Sequence, residues 1–378
     1  MTIFGIPAKS RALEGRLTEL DQARRFLARN LGESAEPWTG ALRRLAAAEA
    51  TVGSTSIEGY GASLEDTVEI LAGRQPASTS EETQRIIAAY GQAMDRVTSL
   101  ATDRRFKWSA QTILELHFLV CHPQPQAAAG RLRDGPMIVT RGLGREPYRA
   151  PSPTDLPRLV DELARWLESG EVTRHPVVRA AMAHVNLVSI HPFRDGNGRV
   201  ARVVQSLVLA REGLLRPEFV SIEPYLGRHT REYYAVLEQV QGPAYDPRRN
   251  ASSWVEFCIA AHIAEAAERR RWLEVAYARH DFCEGLVSAE DLPERYVIAL
   301  DHALMGWPVT NADYRREAKI ASPTAVQDLQ RLRRDGWLEQ EGGGRSVRYV
   351  AARKLQERWS ASRERAARRV HASRQGAG

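Results

Sequence analysis

Apolar residues recur at the spacing of an amphipathic helix through most of this chain. Strand-like patterns are confined to a short stretch at 137–140 and to the far C-terminal part. The pattern therefore predicts a mainly α fold with one small β-hairpin. The predicted helices cover residues 11–29, 42–50, 64–71, 81–100, 110–120, 156–168, 177–188 and 251–279, and a further helix starts at Gly198 and stops near Gly213.

Length and composition narrow the class of protein. A chain of 378 residues is long for one hydrophobic core, so we expect two or three units. The sequence has no apolar run of about 18 residues and no N-terminal signal segment, which predicts a cytoplasmic protein with no membrane partner. The three cysteines, Cys121, Cys258 and Cys283, are far apart, which favours buried thiols over a disulfide framework or a zinc site.

Residues 191–202 concentrate chemically active side chains directly before an apolar helix, and read HPFRDGNGRVAR. A helix N-terminus carries unpaired N–H groups and a partial positive charge. Gly196 and Gly198 would let phosphate oxygens approach that backbone closely, and Asn197 would add a side-chain donor. The loop therefore predicts a polyphosphate site.

The charged residues of this stretch fit the same chemistry. Arg199 and Arg202 lie about one turn apart and would grip successive phosphates. Asp195 would supply an oxygen ligand to a Mg²⁺ ion that bridges those phosphates. His191 would take a proton from an incoming hydroxyl. Phe193 would bury its ring and fix the path of the loop.

This stretch resembles, at every fixed position, the His-x-Phe-x-Asp/Glu-Gly-Asn-Gly-Arg-x-x-Arg motif of the Fic family, whose members mostly transfer AMP from ATP to hydroxyl side chains of target proteins. The resemblance implies a Fic-type helical core, ATP and Mg²⁺ as cofactors, His191 as the general base and Asp195 as the Mg²⁺ ligand. Because both glycines of the Gly-Asn-Gly segment are kept, AMP transfer is favoured over phosphate transfer. The implied phosphate-binding residues are Gly196, Asn197, Gly198, Arg199 and Arg202.

A second signature, STSIEGY at residues 54–60, lies between the predicted helices 42–50 and 64–71. Alone, a Ser with a Glu one turn later is an ordinary capping pattern. Beside the first motif, it resembles the inhibitory motif of Fic proteins. The resemblance implies that Glu58, with Ser54, pairs with Arg202 and keeps the γ-phosphate of ATP from its productive position. A secondary hypothesis is that Glu58 positions a water that removes AMP from modified targets.

The segment around residues 137–140 resembles the Fic flap, with Gly142 and Gly144 as its turn. Such a flap would pair its edge with an extended segment of the target protein and so register the target hydroxyl at the catalytic base. Ile138 and Val139 are the predicted contact residues. The alternative is an ordinary surface hairpin.

Three tyrosines, Tyr225, Tyr233 and Tyr234, fall in the helix-like region 223–240. The family resemblance suggests that this region walls the adenine pocket, and Tyr233 is our candidate. Aromatic residues at helical spacing are more often part of the core, and that alternative stays open.

The C-terminal part reads as a winged helix-turn-helix, because short helices opening at 310–313 and 321–324 are followed by a Gly-rich strand turn at 342–350. Residues 351–378 hold eight basic and two acidic residues, so this tail accounts for the whole net charge of +6. Protein interaction and contact within a homodimer are alternatives to DNA binding. The candidate DNA contacts are Thr324, Gln327, Gln330 and Arg331 in the major groove, and Arg345 or Arg348 in the wing.

These features predict four parts: an N-terminal helical region 1–105 with the inhibitory motif, a Fic core 106–280, a winged helix-turn-helix domain 290–350 and a basic tail 351–378. The favoured function is an autoinhibited protein adenylyltransferase that modifies a Ser, Thr or Tyr hydroxyl of target proteins or of itself. The alternative is a DNA-binding transcriptional regulator that uses the core as a nucleotide sensor.

Overall fold

Helices make up most of the chain in the computed structural model, which describes residues 2–8, 10–31, 37–140, 146–169, 175–213, 216–344 and 347–375. The strands form two separate antiparallel pairs. This confirms the predicted mainly α fold with a small hairpin. The chain divides into two compact units, residues 1–33 with 43–269 and residues 34–42 with 270–378. The four-part division made from the sequence stays a prediction.

Three helices of the first unit begin at a serine side chain. Ser63, Ser80 and Ser109 each accept a hydrogen bond from a backbone N–H of the first helical turn. The helices are α1 (Arg11–Leu31), α2 (Pro37–Ile57), α3 (Leu64–Leu71), α4 (Glu81–Thr102), α5 (Ala110–Cys121), α6 (Leu156–Glu168), α7 (Pro176–Ile190), α8 (Asn197–Ala210), α9 (Pro217–Val220), α10 (Glu223–Arg228), α11 (Thr230–Gln241) and α12 (Ser252–Ala289), with α2 and α12 crossing the unit boundaries.

Two helices, α7 and α8, form the centre of this unit, and nearly all of their side chains are buried. Val185, Leu187, Val203 and Leu207 are completely excluded from solvent. Burial of each such side chain contributes roughly 1.5–3 kcal/mol. Because both helices are anchored in this way, the loop that joins them has fixed ends.

Helix α2 is longer than predicted. The apolar pattern ended at residue 50, but the helix continues to Ile57 through a run of small polar residues. Thr51 and Thr55 donate their hydroxyls to the carbonyls of Ala47 and Thr51, at 2.8 and 2.9 Å, so polar side chains are satisfied within the helix. The predicted boundary was wrong, and Ser54 lies in the last turns of α2 instead of in a loop.

The small hairpin consists of β1 (Ile138–Val139) and β2 (Tyr148–Arg149), with Ile138 opposite Arg149 and Val139 opposite Tyr148. The hydroxyl of Tyr148 donates to the carbonyl of Ser189 in α7 at 2.5 Å, which fixes the hairpin close to the end of that helix. The predicted turn residues Gly142 and Gly144 lie outside the described residues.

The second unit contains short helices followed by an antiparallel strand pair, as the sequence predicted. Thr310 accepts a hydrogen bond from the N–H of Asp313 and so begins the first of the two predicted helices. Trp337, Leu329 and Leu355 are part of its core. The winged-helix interpretation stays a prediction. The elements are α13 (Tyr296–Leu304), α14 (Asn311–Glu317), α15 (Ser322–Arg334), β3 (Leu338–Glu341), β4 (Arg348–Ala351) and α16 (Arg353–Gln375).

Two general expectations can be compared with the structure. All three cysteines are free and buried, as predicted. Among the helices in the described parts of the chain, none has the length and apolar character needed to cross a bilayer. The cytoplasmic location stays a prediction.

Candidate active site

His191 ends α7 in a left-handed conformation, with φ 50° and ψ 57°. This conformation is uncommon outside glycine, but histidine tolerates it better than most residues. The ring Nδ1 lies 3.2 Å from the carbonyl oxygen of Val188, and a carbonyl only accepts, so Nδ1 carries the proton. Burial, assisted by the nearby Arg133 guanidinium, lowers the pKa of His191 to about 4. The ring is therefore neutral at pH 7, with the lone pair on Nε2.

The loop after His191 is closed by the side chain of Asn197. Its Oδ1 accepts from the N–H of Phe193 at 3.0 Å, and its Nδ2 donates to the Phe193 carbonyl at 2.9 Å. This buried amide thus braces the loop, with one of its two N–H groups bonded to the backbone, and a donor contact from the other to phosphate stays a prediction. Contact of the Asn197 backbone N–H with phosphate stays a prediction.

The start of α8 has two glycines in different surroundings. Gly196 has φ 78°, and a Cβ there would lie 2.2 Å from the Sγ of Cys121, so this position requires glycine. At Gly198, a Cβ would lie 2.6 Å from the Oε1 of Glu58, the movable end of that side chain.

Asp195 presents a carboxylate at the mouth of this loop. Its Oδ1 accepts from the N–H of Gly196 at 2.6 Å, while its Oδ2 makes only long contacts of 3.5 Å with Arg199 and with Gln124. The side chain is 43% exposed. Within the described chain, no three His, Cys, Asp or Glu side chains cluster as a metal site. Mg²⁺ usually takes one or two protein carboxylates together with substrate phosphates, and the role of Asp195 as its ligand stays a prediction.

Arg199 and Arg202 lie on α8, are only 1% exposed, and still have unused donors. The Nε and Nη1 atoms of Arg199 and the Nη1 atom of Arg202 are buried, and within the described residues no hydrogen-bond partner accepts from them. A buried polar group without a partner costs about 1–3 kcal/mol, and more when it is charged. Open charged donors next to a helix N-terminus are therefore well placed to receive an anionic ligand.

The upstream motif meets the second of these arginines, as the family resemblance implied. Arg202 donates its Nε to the Ser54 hydroxyl at 2.7 Å, and its Nη2 to the Ser54 carbonyl at 3.0 Å and to Glu58 at 2.7 Å. Burial opposes the charge of Arg202, but Glu58 and nearby tyrosines raise its pKa above the usual value. The pairing is present in the structure, while its inhibitory effect stays a prediction.

Tyr233, the candidate for the adenine pocket, is buried. Its ring is 1% exposed and lies in the core beside Trp254, and its hydroxyl is 3.1 Å from the Nε2 of His184. This burial fits the core alternative, and contact of Tyr233 with the adenine base stays a prediction. The neighbouring Tyr234 is 46% exposed, and its hydroxyl lies 3.4 Å from the Ile57 carbonyl at the end of α2.

Arg133 joins the predicted flap to the catalytic loop. This buried guanidinium donates to the carbonyls of His191, Gly135 and Pro151, at 2.8, 2.6 and 2.6 Å. Ile138 at the start of the flap is 57% exposed. Ile138 and Val139 thus lie on a strand whose base is joined to His191, and contact with a target stays a prediction.

Sequence reasoning missed three residues that support this site: Arg133, Gln124 and His117. Gln124 is buried and donates to the Tyr60 hydroxyl at 2.8 Å, next to Asp195. His117 stacks on Phe193. Of the three, only His117 could have been found from the sequence, because it is a polar residue inside the apolar run of α5. Arg133 and Gln124 lie in irregular segments, where spacing carries no comparable signal.

Comparisons with known proteins agree with this geometry. Residues 107–209 match the model of the Fic/DOC family. The chain is 32% identical over 188 residues to protein adenylyltransferase fic-1 of Caenorhabditis elegans, covering 49% of this chain and 34% of that protein. It is 35% identical over 205 residues to protein adenylyltransferase Fic of Drosophila yakuba, covering 53% and 39%. This chain therefore spans less than half the length of these curated relatives.

The fold is also shared with a solved structure. The crystal structure of a Fic family protein from Desulfovibrio desulfuricans G20 superposes with a TM-score of 0.61, covering 93% of this chain and 99% of that chain. The sequence identity is 21%, so this likeness shows the fold alone.

Proposed function

This chain carries a Fic domain, and on that premise we propose that it is an autoinhibited protein adenylyltransferase, which transfers AMP from ATP to a hydroxyl side chain of a target protein. The relatives named above are protein adenylyltransferases, and this chain is similar to them over 188 and 205 residues. The open, buried guanidinium donors of Arg199 and Arg202 beside the N-terminus of α8 give the proposal its main support.

These donors would bind the phosphates of ATP. The α- and β-phosphates would lie against the first N–H groups of α8, where Gly196 and Gly198 place no side chain over the backbone. The free nitrogens of Arg199 and Arg202 would hold the outer phosphates in a water-poor site, where charged hydrogen bonds are strong. Asp195 would hold Mg²⁺, which when bound offsets phosphate charge.

His191 would act as the general base. Its neutral Nε2 would accept the proton of the target hydroxyl as the hydroxyl oxygen forms a bond to the α-phosphorus. The bond from that phosphorus to the bridging oxygen of the β-phosphate breaks, and pyrophosphate leaves. The Val188 carbonyl would hold the ring in the required tautomer throughout, because it accepts from Nδ1.

Glu58 would inhibit the reaction by occupying Arg202. The pair is 2.7 Å long, with the arginine almost fully buried and the carboxylate 23% exposed. A γ-phosphate that needs the same guanidinium must first displace Glu58. In addition, Oε2 of Glu58 makes no hydrogen bond within the described residues, which leaves it available to orient a water for removal of AMP from modified targets.

The strand β1 would dock the target. β2 is paired on both sides, with β1 and with the backbone near Ala244, so β1 is the outer strand of this pair. Ile138 faces outward, as a strand that accepts an extended target segment requires. Val139 would contribute the neighbouring backbone contacts.

The test is a labelling experiment with Glu58→Gly and Glu58→Gln variants and ATP labelled at either the α- or the γ-phosphate. Removal of Glu58 should raise labelling of the protein itself or of added cell extract about tenfold or more, and only α-labelled ATP should give it. Glu58→Gln keeps the bulk of the side chain and removes its charge, so labelling by this variant should rise less. Label from the γ-phosphate alone would contradict AMP transfer, and no label from either would count against the enzyme.

A second candidate function is favoured by the exposed face of α15. Gln327, Gln330 and Arg331 are all exposed, three and four residues apart, and can therefore reach one ligand surface together. We propose DNA binding through this face, with Thr324 of the same helix and with Arg348 of β4 contacting phosphate, as the alternative in which the Fic domain serves as a nucleotide sensor. The predicted contact Arg345 lies outside the described residues.

DNA binding has its own test. The second candidate predicts that the protein shifts a defined duplex selected from random sequences, and that Gln327→Ala with Gln330→Ala relaxes base preference without loss of the fold. Equal, weak binding to all duplexes by both proteins would argue against it.

A further inference from the structure

A buried imidazole lies beneath the catalytic loop. His117 of α5 is completely excluded from solvent. Its ring lies flat on the ring of Phe193, with centroids 3.7 Å apart and planes 6° from parallel. His117 therefore forms part of the floor on which residues 192–196 rest.

Both nitrogens of this imidazole are bonded to the main chain. The N–H of Gly130 donates to Nδ1 at 2.9 Å, and Nε2 donates to the carbonyl of Asp195 at 3.1 Å. A backbone N–H only donates and a carbonyl only accepts, so these two partners fix a single neutral tautomer with the proton on Nε2. A hydrocarbon side chain of similar size would keep the stack and lose both bonds.

The bond to Asp195 controls the orientation of a peptide unit. The peptide between Asp195 and Gly196 is planar, so its carbonyl and its N–H point in opposite directions. With the carbonyl held by His117, the Gly196 N–H points to the other side, where it donates to Oδ1 of Asp195 at 2.6 Å. Oδ2 is then left with only its 3.5 Å contacts and faces Arg199 and Gln124.

We propose that His117 is a positioning residue, which holds the peptide between Asp195 and Gly196 so that the Asp195 carboxylate and the start of α8 face the nucleotide phosphates and their Mg²⁺. This inference rests on the proposed function. It assigns no contact between His117 and the ligand, since the imidazole acts only through the loop.

The test compares variants that retain different parts of these contacts, all in the Glu58→Gly background. His117→Phe keeps the stack and removes both hydrogen bonds. His117→Gln places an amide N–H near the position of Nε2 and can restore the bond to Asp195, whereas His117→Asn reaches only the position of Nδ1. His262→Phe, at a buried imidazole of α12, is the matched control for loss of a buried histidine.

The readouts are the Kd for ATP, with Mg²⁺ and with EDTA, and the Tm. We expect His117→Phe and His117→Asn to weaken Mg²⁺-dependent ATP binding about tenfold, with a much smaller change when EDTA is present. His117→Gln should recover most of the affinity, and His262→Phe should bind like its parent. If His117→Phe does not fold, the Gln and Asn pair alone decides the matter.

Two results would overturn the inference. Parental affinity in His117→Phe or His117→Asn would show that the loop does not need this bond. Losses that follow Tm in all variants, His262→Phe included, would reduce His117 to a core residue. If the Glu58→Gly parent itself does not bind ATP, the proposed function fails first, and that outcome is seen before any His117 variant is measured.

Discussion

Arg199 and Arg202 of the first unit differ from Arg279 of the second unit in how their donors are used. In the first unit, Arg199 and Arg202 are 1% exposed and have buried nitrogens that no described residue accepts from. In the second unit, Arg279 is also buried, but it donates Nε and Nη2 to the two carboxylate oxygens of Asp301, at 2.7 and 3.3 Å. A buried guanidinium that only supports a fold is satisfied by its own chain, whereas one intended for a ligand is left open.

Two histidines also differ between the units. His191 ends a helix in a left-handed turn with one nitrogen committed to the backbone and the other unprotonated. His302 of the second unit is buried 2.9 Å from Glu317. We therefore expect substitution of Arg199 or His191 to change ligand binding or catalysis, and substitution of Arg279 or His302 to change stability.

The largest expected effect is at His191. His191→Ala in the Glu58→Gly background should lower AMP transfer by about 10²–10⁴, because the general base is lost. ATP affinity and Tm should change little, and both can be measured on the same sample. The matched variant His302→Ala should lower Tm and leave transfer intact, so similar rates for the two variants would break the comparison.

The next largest effect should separate ATP binding from stability at two buried arginines. Arg199→Met should weaken ATP binding tenfold or more, because charged hydrogen bonds worth about 1.5–3 kcal/mol are lost, with Tm unchanged or raised. Arg279→Met should leave ATP binding unchanged and destabilise the fold by about 3–5 kcal/mol, because Asp301 becomes a buried unpaired charge. Calorimetry and denaturant unfolding of both variants separate the two outcomes. A loss of stability in Arg199→Met equal to that in Arg279→Met would contradict the account.

The smallest effect is the pH dependence of stability. Burial lowers the pKa of His117 and His191 to about 4, and of His184 and His262 to about 3. The unfolded chain binds protons at these histidines at higher pH than the folded chain does, so stability should fall as pH drops from about 6.5 toward 4. Glu223, whose pKa burial raises to about 7, opposes this trend over part of the range. Urea unfolding at pH 7.5, 6 and 5 measures the combined effect of these groups on the free energy of unfolding. A rise in stability toward pH 5 would contradict the prediction.

The parts of this site that the sequence predicted are those that are local along the chain. His191, Asp195 and Arg202 fall within twelve consecutive positions before an apolar helix, so their grouping needed no knowledge of the fold. The pairing of Glu58 with Arg202 joins residues 144 positions apart, and it followed only from the family resemblance.

What the sequence could not predict depends on three-dimensional packing. The amide of Asn197 turned back onto Phe193 because that backbone is buried beside it. The side chain of Tyr233 lies in the core and that of Tyr234 at the surface, although the two residues are neighbours in one helical region. Helix α2 passed through polar residues because their hydroxyls bond within the helix.

The open arginine donors are proposed to bind the phosphates of ATP, and Glu58 to compete for one of them. Isothermal titration with ATP and Mg²⁺ of wild type, of Glu58→Gly and of Glu58→Gly with Arg202→Met measures this competition. Removal of Glu58 should tighten binding about tenfold, and the added Arg202→Met should abolish the gain. Equal affinity in all three proteins, or no binding by Glu58→Gly, would contradict it.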